Sequence, residues 1–258
     1  MTSGSNEHLQ GGEQMRAISV LGISLKDYSV REAMRRVSLF LNNGICNTVD
    51  FITHDDLLKA TDSAELKQAL EEMDLTVFTA GDILQAGNII SHSREREIES
   101  NLFLKGLLRK LAKEKRRVFL VSSSADKLEK FEESLCGFEE ELNIIGKCAV
   151  DETPGSSDAV VNEVNSTLPD VLFLNLGTPD AEFFIQSGRM KLNTPLIVAM
   201  GDVCFRVTEN GSVKKGGVGE FLLKHFFHSA AARYTQNQEK SPIVADDNEI
   251  VKKHDIMD

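Results

Sequence analysis

The segment Pro169–Ile185, PDVLFLNLGTPDAEFFI, decides the reading of this chain. Leu172, Phe173, Leu174 and Leu176 form an apolar run of the kind found in strands buried on both faces of a parallel sheet. The run stops at Gly177-Thr178-Pro179, and a helical pattern follows at once. Gly177 tolerates an unusual backbone angle, Thr178 is a good N-cap and Pro179 suits a first helical turn. Open α/β sheets place ligands, phosphates above all, where a strand ends in a small-residue turn at a helix N-terminus. A capped turn with no ligand has the same sequence, so this segment alone leaves both readings open.

Working outward, the pattern repeats. Ala17–Ile23 reads as a strand, and Ser29 caps a helix across Val30–Leu41. Asn47–Thr53 is a strand that runs into His54-Asp55-Asp56 and a short helix; Ser63 caps the next helix, and Asp74–Phe78 is a strand. Asp82–Ser100 reads as a helix followed by a loop. Regular alternation then follows: helix Leu102–Lys113, strand Arg117–Val121, helix Ala125–Leu135, strand Asn143–Gly146, and a helix to Ser166 capped by Ser156 or Ser157. The opening segment comes next, then strand Pro195–Met200 and a final helix over Val218–Tyr234. This order predicts a Rossmann-like α/β domain with a doubly wound, mostly parallel sheet and a C-terminal helical appendage. Residues 1–15 read as a disordered lead, 16–233 as the domain and 234–258 as a polar tail.

Composition limits the function. The 258-residue chain carries a net charge of -11, which argues against nucleic acid as a partner, because phosphate contacts need a basic face. No apolar run is long enough to span a bilayer, and the polar start is no signal peptide. The four cysteines have no paired spacing, which fits reduced thiols in the cytoplasm better than a disulfide framework or a zinc site. No G-x-G-x-x-G follows an early strand, so a nucleotide-dependent oxidoreductase is a weak reading.

Three blocks, VLGISLKDYSVREAM, FITHDDLLKATDSAELKQALEEMDLTVF and PDVLFLNLGTPDAEFFI, resemble the WecG/TagA/CpsF glycosyltransferase family in content, order and spacing, from about Arg16 to about Arg233. The resemblance implies transfer of an N-acetylmannosamine-type sugar from a UDP-N-acetylhexosamine donor to a polyprenyl-diphosphate-linked acceptor, in teichoic acid or other cell-surface polysaccharide synthesis. It also implies no cofactor, no tightly bound metal and a tendency to homo-oligomerise, in the cytoplasm or peripherally at the inner face of the cell membrane.

Position by position, the family threonine is Thr53, and the asparagine two residues on is Asp55 here. The Asp-Gly carrying the family's proposed base is Ala80-Gly81, and Gly-x-Asp has become Glu99-Ser100-Asn101. Paired glycines are Ser122-Ser123 here. The signature Gly-x-Pro-Lys-Gln-Glu reads Gly177-Thr178-Pro179-Asp180-Ala181-Glu182, losing its lysine and glutamine. The later glycine-rich basic stretch survives as Gly211 and Lys214-Lys215.

Transfer to a hydroxyl needs a base and a group that stabilises the leaving diphosphate. Asp82 is the nearest carboxylate to the lost base position; it is also what a helix N-terminus prefers. Thr53 either holds a sugar or diphosphate oxygen or caps the following helix. The substrate-binding candidates are Asp55, Gly81, Asn101, Gly177, Thr178, Pro179, Glu182, Gly201, Lys214 and Lys215, the last two with a surface hairpin as their alternative. His54-Asp55-Asp56 is no metal cluster, since three adjacent side chains cannot point one way. His225 and His228 read as helix-face residues, and the phenylalanines of the last helix, grouped with Phe221, Leu222, His225 and Phe226 on one side, as core. Several motif losses together keep a second function open: an inactive paralogue that binds a sugar nucleotide or a protein partner.

Overall fold

The computed structural model describes residues 16–153, 157–201, 203 and 218–240. The N-terminal lead, Cys204, Gly211, Lys214, Lys215 and the last residues of the tail lie outside them. Six strands form one sheet: β3 (Asn47–Ile52), β4 (Leu75–Phe78), β5 (Arg117–Ser122), β6 (Asn143–Ala149), β7 (Val171–Asn175) and β8 (Leu196–Ala199), in the order β4-β3-β8-β7-β5-β6. All their pairings are parallel. The chain steps from β3 outward to β4, crosses to build β5 and β6 on the other side, then returns through β7 and β8 to fill the middle.

Both faces of the central strands are buried, as the apolar run requires. Val171 and Phe173 of β7 point into one core with α1 (Val30–Phe40), α6 (Leu102–Lys113) and α7 (Ala125–Phe138). Leu172 and Leu174 point into another with α8 (Ser157–Thr167) and α9 (Asp180–Gly188). Strand alternation on a two-layer cover of helices is the doubly wound architecture.

Local signals account for most of the helix starts. Ser29 and Glu32 make a reciprocal capping box at α1, and Ser124 accepts a backbone N–H at α7. Ser63 does the same for α3 (Ala64–Glu72).

Several elements differ from the sequence expectation. The first strand is a hairpin, β1 (Arg16–Val20) paired antiparallel with β2 (Ile23–Asp27). Its two-residue turn has Leu21 at φ 52° and Gly22 at φ 77°, the pair of positive angles that a tight hairpin needs. Leucine rarely adopts that conformation, so the turn was hidden inside an apolar run. The region expected as helix and loop is two helices, α4 (Gly81–Ala86) and α5 (His92–Glu99), the second capped by Ser91. β6 extends to Ala149, and the last helix, α10 (Val218–Lys240), continues past Tyr234. Among the described residues no helix is long and apolar enough to cross a membrane.

α10 packs on α2 (His54–Asp62) through a different face from the one expected. Phe227 is fully buried, in the core that also holds Ile52 and Phe78. Phe221, Leu222 and Phe226 are exposed, at 72%, 48% and 63%.

β6 supplies a stability prediction. The register between β5 and β6 shifts at Phe119, and a side chain at Gly146 would stand 2.5 Å from the Phe119 ring. That ring is buried and has little room to yield. Gly146→Ala should therefore destabilise the protein by about 1–3 kcal/mol. Urea unfolding checks this; an unchanged midpoint would mean that the strand relaxes instead.

Candidate functional site

The strand-to-helix turns after β3 and β7 face each other across a cleft at the carboxyl ends of the sheet. Its empty volume, counted out to the open solvent at its mouth, is about 650 Å³. From β3 and α2 come Asp50, Thr53, Asp55, Asp56 and Lys59; from the turn into α9 come Gly177, Thr178, Ala181 and Glu182. Met200 and Gly201, past the end of β8, complete the described wall. This is the crevice position at which open α/β sheets hold ligands.

Thr53 caps α2. Its hydroxyl accepts the Asp56 N–H, and Asp56 Oδ2 accepts the Thr53 N–H at 2.7 Å in return. Thr178 does not cap α9: Pro179 occupies the N-cap position, after a cis peptide bond, and the helix begins at Asp180. The Thr178 hydroxyl instead donates to Asp56 Oδ1 at 2.5 Å and lies 3.1 Å from Glu182 Oε1. One hydroxyl thus ties the two walls together. Gly201, at φ 49°, is held by its carbonyl, which accepts from Asn175 Nδ2 at 2.5 Å. Asn175 also accepts from the Ser122 hydroxyl at 2.8 Å.

The floor is acidic. Asp50 and Glu182 are 3% and 2% exposed, and Asp56 is 6% exposed. Burial, then the nearby charge of Glu182 and Asp56, raises the Asp50 carboxyl well above its ordinary range. Burial, reinforced by Asp56, pushes Glu182 up to about 7. Burial also raises Asp56, against the hydrogen bonds that it accepts.

Lys59 sits at the rim, where sequence reading did not look. Its ammonium donates to the Thr178 carbonyl at 2.9 Å and pairs with Asp55 at 2.6 Å. It comes from α2, yet it puts a cation beside the turn into α9, near where the family resemblance implies a lysine. An i, i+4 acid–lysine pair at positions 55 and 59 was the available signal.

Asp82 lies outside this cleft. It sits in the first turn of α4, is buried, and its Oδ1 meets His54 Nε2 at 2.8 Å. Its Oδ2 meets Lys224 at 3.0 Å and His228 at 3.1 Å, both from α10. Burial pushes this carboxyl up, but the hydrogen bonds and charges of His54 and Lys224 outweigh it and hold it well below the usual range. His228 is therefore a partner of Asp82 and not simply a solvated helix-face residue. The three neighbours His54, Asp55 and Asp56 point three ways, to Asp82, to Lys59 and to Thr178.

Gly81 lies beside Glu95, which a side chain there would crowd at 3.1 Å. Asn101 is the left-handed N-cap of α6 and lines a separate cavity beside Arg94 and Glu97. Pro179 is part of the Gly177–Asp180 turn but not of the cleft lining. Among the described residues no group of three or more His, Cys, Asp or Glu side chains has metal-holding geometry.

A parallel sheet wound on both faces, with its crevice between two strand-to-helix turns, places the protein in the Rossmann-like α/β class. Residues 18–210 match the model of the glycosyl transferase WecG/TagA/CpsF family. The match spans most of the chain, and the chain belongs to this family. No curated protein gives a match to it.

Proposed function

We propose that this cleft transfers an N-acetylhexosamine of the N-acetylmannosamine type from a UDP donor to a polyprenyl-diphosphate-linked acceptor in cell-surface polysaccharide or teichoic acid synthesis. The observation that carries the reading is convergence: the two motif blocks of the family, after β3 and after β7, line one crevice. A donor diphosphate at the rim would meet Lys59 and the N-terminus of α9, whose dipole favours negative charge. Asp55, beside Lys59 and open to solvent, is the carboxylate that receives the acceptor proton. Asp82, bound to α10 by its ion pairs, acts as a positioning residue for that helix.

Calorimetric titration with UDP and UDP-N-acetylmannosamine, in a magnesium-containing buffer, tests the reading. Micromolar binding is expected, and no binding at millimolar ligand overturns it. Lys59→Met should weaken UDP binding roughly 10- to 100-fold, the effect of losing one charge-assisted contact. Equal affinity in that variant would remove Lys59 from the diphosphate site.

A further inference from the structure

A single hydroxyl stands between two buried carboxyl groups where the walls of the cleft meet. Thr178 Oγ1 lies 2.5 Å from Asp56 Oδ1 and 3.1 Å from Glu182 Oε1. Asp56 and Glu182 are both buried. A hydroxyl has one proton to give, and the shorter contact takes it, so Asp56 receives the Thr178 proton. Glu182 Oε1 then faces the lone pairs of the same oxygen. That arrangement repels a carboxylate and suits a carboxyl O–H.

The two acids also differ in what else holds them. Asp56 Oδ2 accepts the Thr53 N–H at 2.7 Å, which favours its ionised form. Glu182 Oε2 has no hydrogen-bond partner among the described residues. As a carboxylate, Glu182 would be buried with one oxygen bare and the other set against lone pairs, a costly state that a proton relieves. Its charged surroundings agree. Asp50 from β3, Asp56 from α2 and Glu72 from α3 stand around it. The neighbouring cations are committed elsewhere: Lys59 of α2 to the Thr178 carbonyl and Asp55, and Arg189 of α9 to Asp74 and the Cys46 carbonyl.

We propose that Glu182 is a positioning residue that works as a protonated carboxyl group: its O–H donates to Thr178 Oγ1, turns the Thr178 proton toward Asp56 and so latches the α9 wall of the cleft to the α2 wall. When Glu182 ionises, its Oε1 competes with Asp56 for that one proton and sets a second negative charge beside it. The latch loosens, and the crevice becomes less favourable to a phosphate anion. The effect on the donor rests on the sugar-nucleotide reading above; the latch does not.

The test uses the full chain and begins without nucleotide. With carbon-13 at the glutamate carboxyl carbons, nuclear magnetic resonance should show one glutamate titrating near 7, and Glu182→Gln should lack that signal. Absence of the signal, or its persistence in the variant, overturns the proposal. Because the folded value is raised, the stabilisation is complete below the ordinary carboxylate range and is lost as pH rises through about 7. Between pH 6 and pH 8.5 the wild-type melting midpoint should therefore fall by about 3 °C more than that of Glu182→Gln, which keeps every other titrating group. Equal falls overturn the latch. Calorimetry with UDP-N-acetylmannosamine then reads the cleft. Wild-type affinity should be about 10-fold weaker at pH 8.5 than at pH 6, and Glu182→Gln should bind equally at both. At pH 6, Thr178→Val should lose about 10-fold in affinity and Thr178→Ser should regain most of it. Wild-type affinity independent of pH, or a Thr178→Val affinity equal to wild type, overturns the control of the cleft by the latch. Absence of binding at either pH removes the transferase reading instead, and the carboxyl titration and the melting difference decide the latch without it.

Discussion

Asp55→Asn is expected to lower kcat by about 10²–10⁴-fold, the range over which positioned general bases act. The argument is one of access. Ala80 stands where the family resemblance implies the base, and Asp82 is committed to His54, Lys224 and His228. Asp56 has both oxygens engaged, while Asp50 and Glu182 lie at the floor. Among the described carboxylates of the cleft lining, Asp55 is the one with an exposed side chain, 43% accessible, where an acceptor hydroxyl can approach. Asparagine keeps the shape and is the residue that the family resemblance implies there, so the change removes the carboxylate and little else. Acceptor-dependent UDP release measures it, with the donor KM shifting by only a few-fold. Activity within 10-fold of wild type would exclude Asp55 as the base.

Phe227→Ala should cost about 3–5 kcal/mol, the usual loss when a fully buried aromatic side chain is removed. Among the described side chains of α10, Phe227 is the one completely enclosed, and its ring meets that of His54 edge-on at 4.7 Å. The loss should fall on α10 first. Hydrogen exchange is expected to rise across Val218–Lys240 before the sheet is affected. Exchange in α10 equal to wild type would show that the helix is held by something else.

Asp82→Ala acts on the same dock, through charge. It leaves His54 without its buried partner and frees Lys224 and His228, but those two are half exposed, so solvent screening limits the cost to about 1–3 kcal/mol. The pH dependence has a definite sign. Asp82 is held below the ordinary carboxylate range, so its stabilisation is complete above that range and is lost as pH falls through it toward the depressed folded value. Acid should therefore loosen α10 in the wild type, and the Asp82→Ala variant should lack this step.

These effects divide between what is local and what is not. The apolar run at Leu172–Leu174, the helix caps at Ser29, Ser63 and Ser124, and the order of strands and helices are local or periodic properties. They were legible because strand alternation and capping depend on neighbours in the chain. The same holds for Thr53 and for the turn at Gly177, both readable as features at the end of a strand.

The phase of α10 was not legible, since Phe226 and Phe227 are adjacent and only the tertiary surface on which the helix packs, α2 and the core around Ile52 and Phe78, selects which is buried. Asp50 sits in the middle of a strand pattern, where nothing marks it as the floor of a cleft. Thr178 looked like a helix cap because its partner, Asp56, lies 122 positions away in the chain. Lys59 reaches the turn before α9 only because α2 crosses to it in the fold. Sequence by itself thus determined the family, the parallel sheet and the strand ends that line the cleft. Tertiary structure alone decided which carboxylates face the cleft and which serve as ties, because a side chain's charge state and partners depend on what folding brings within a few ångströms of it.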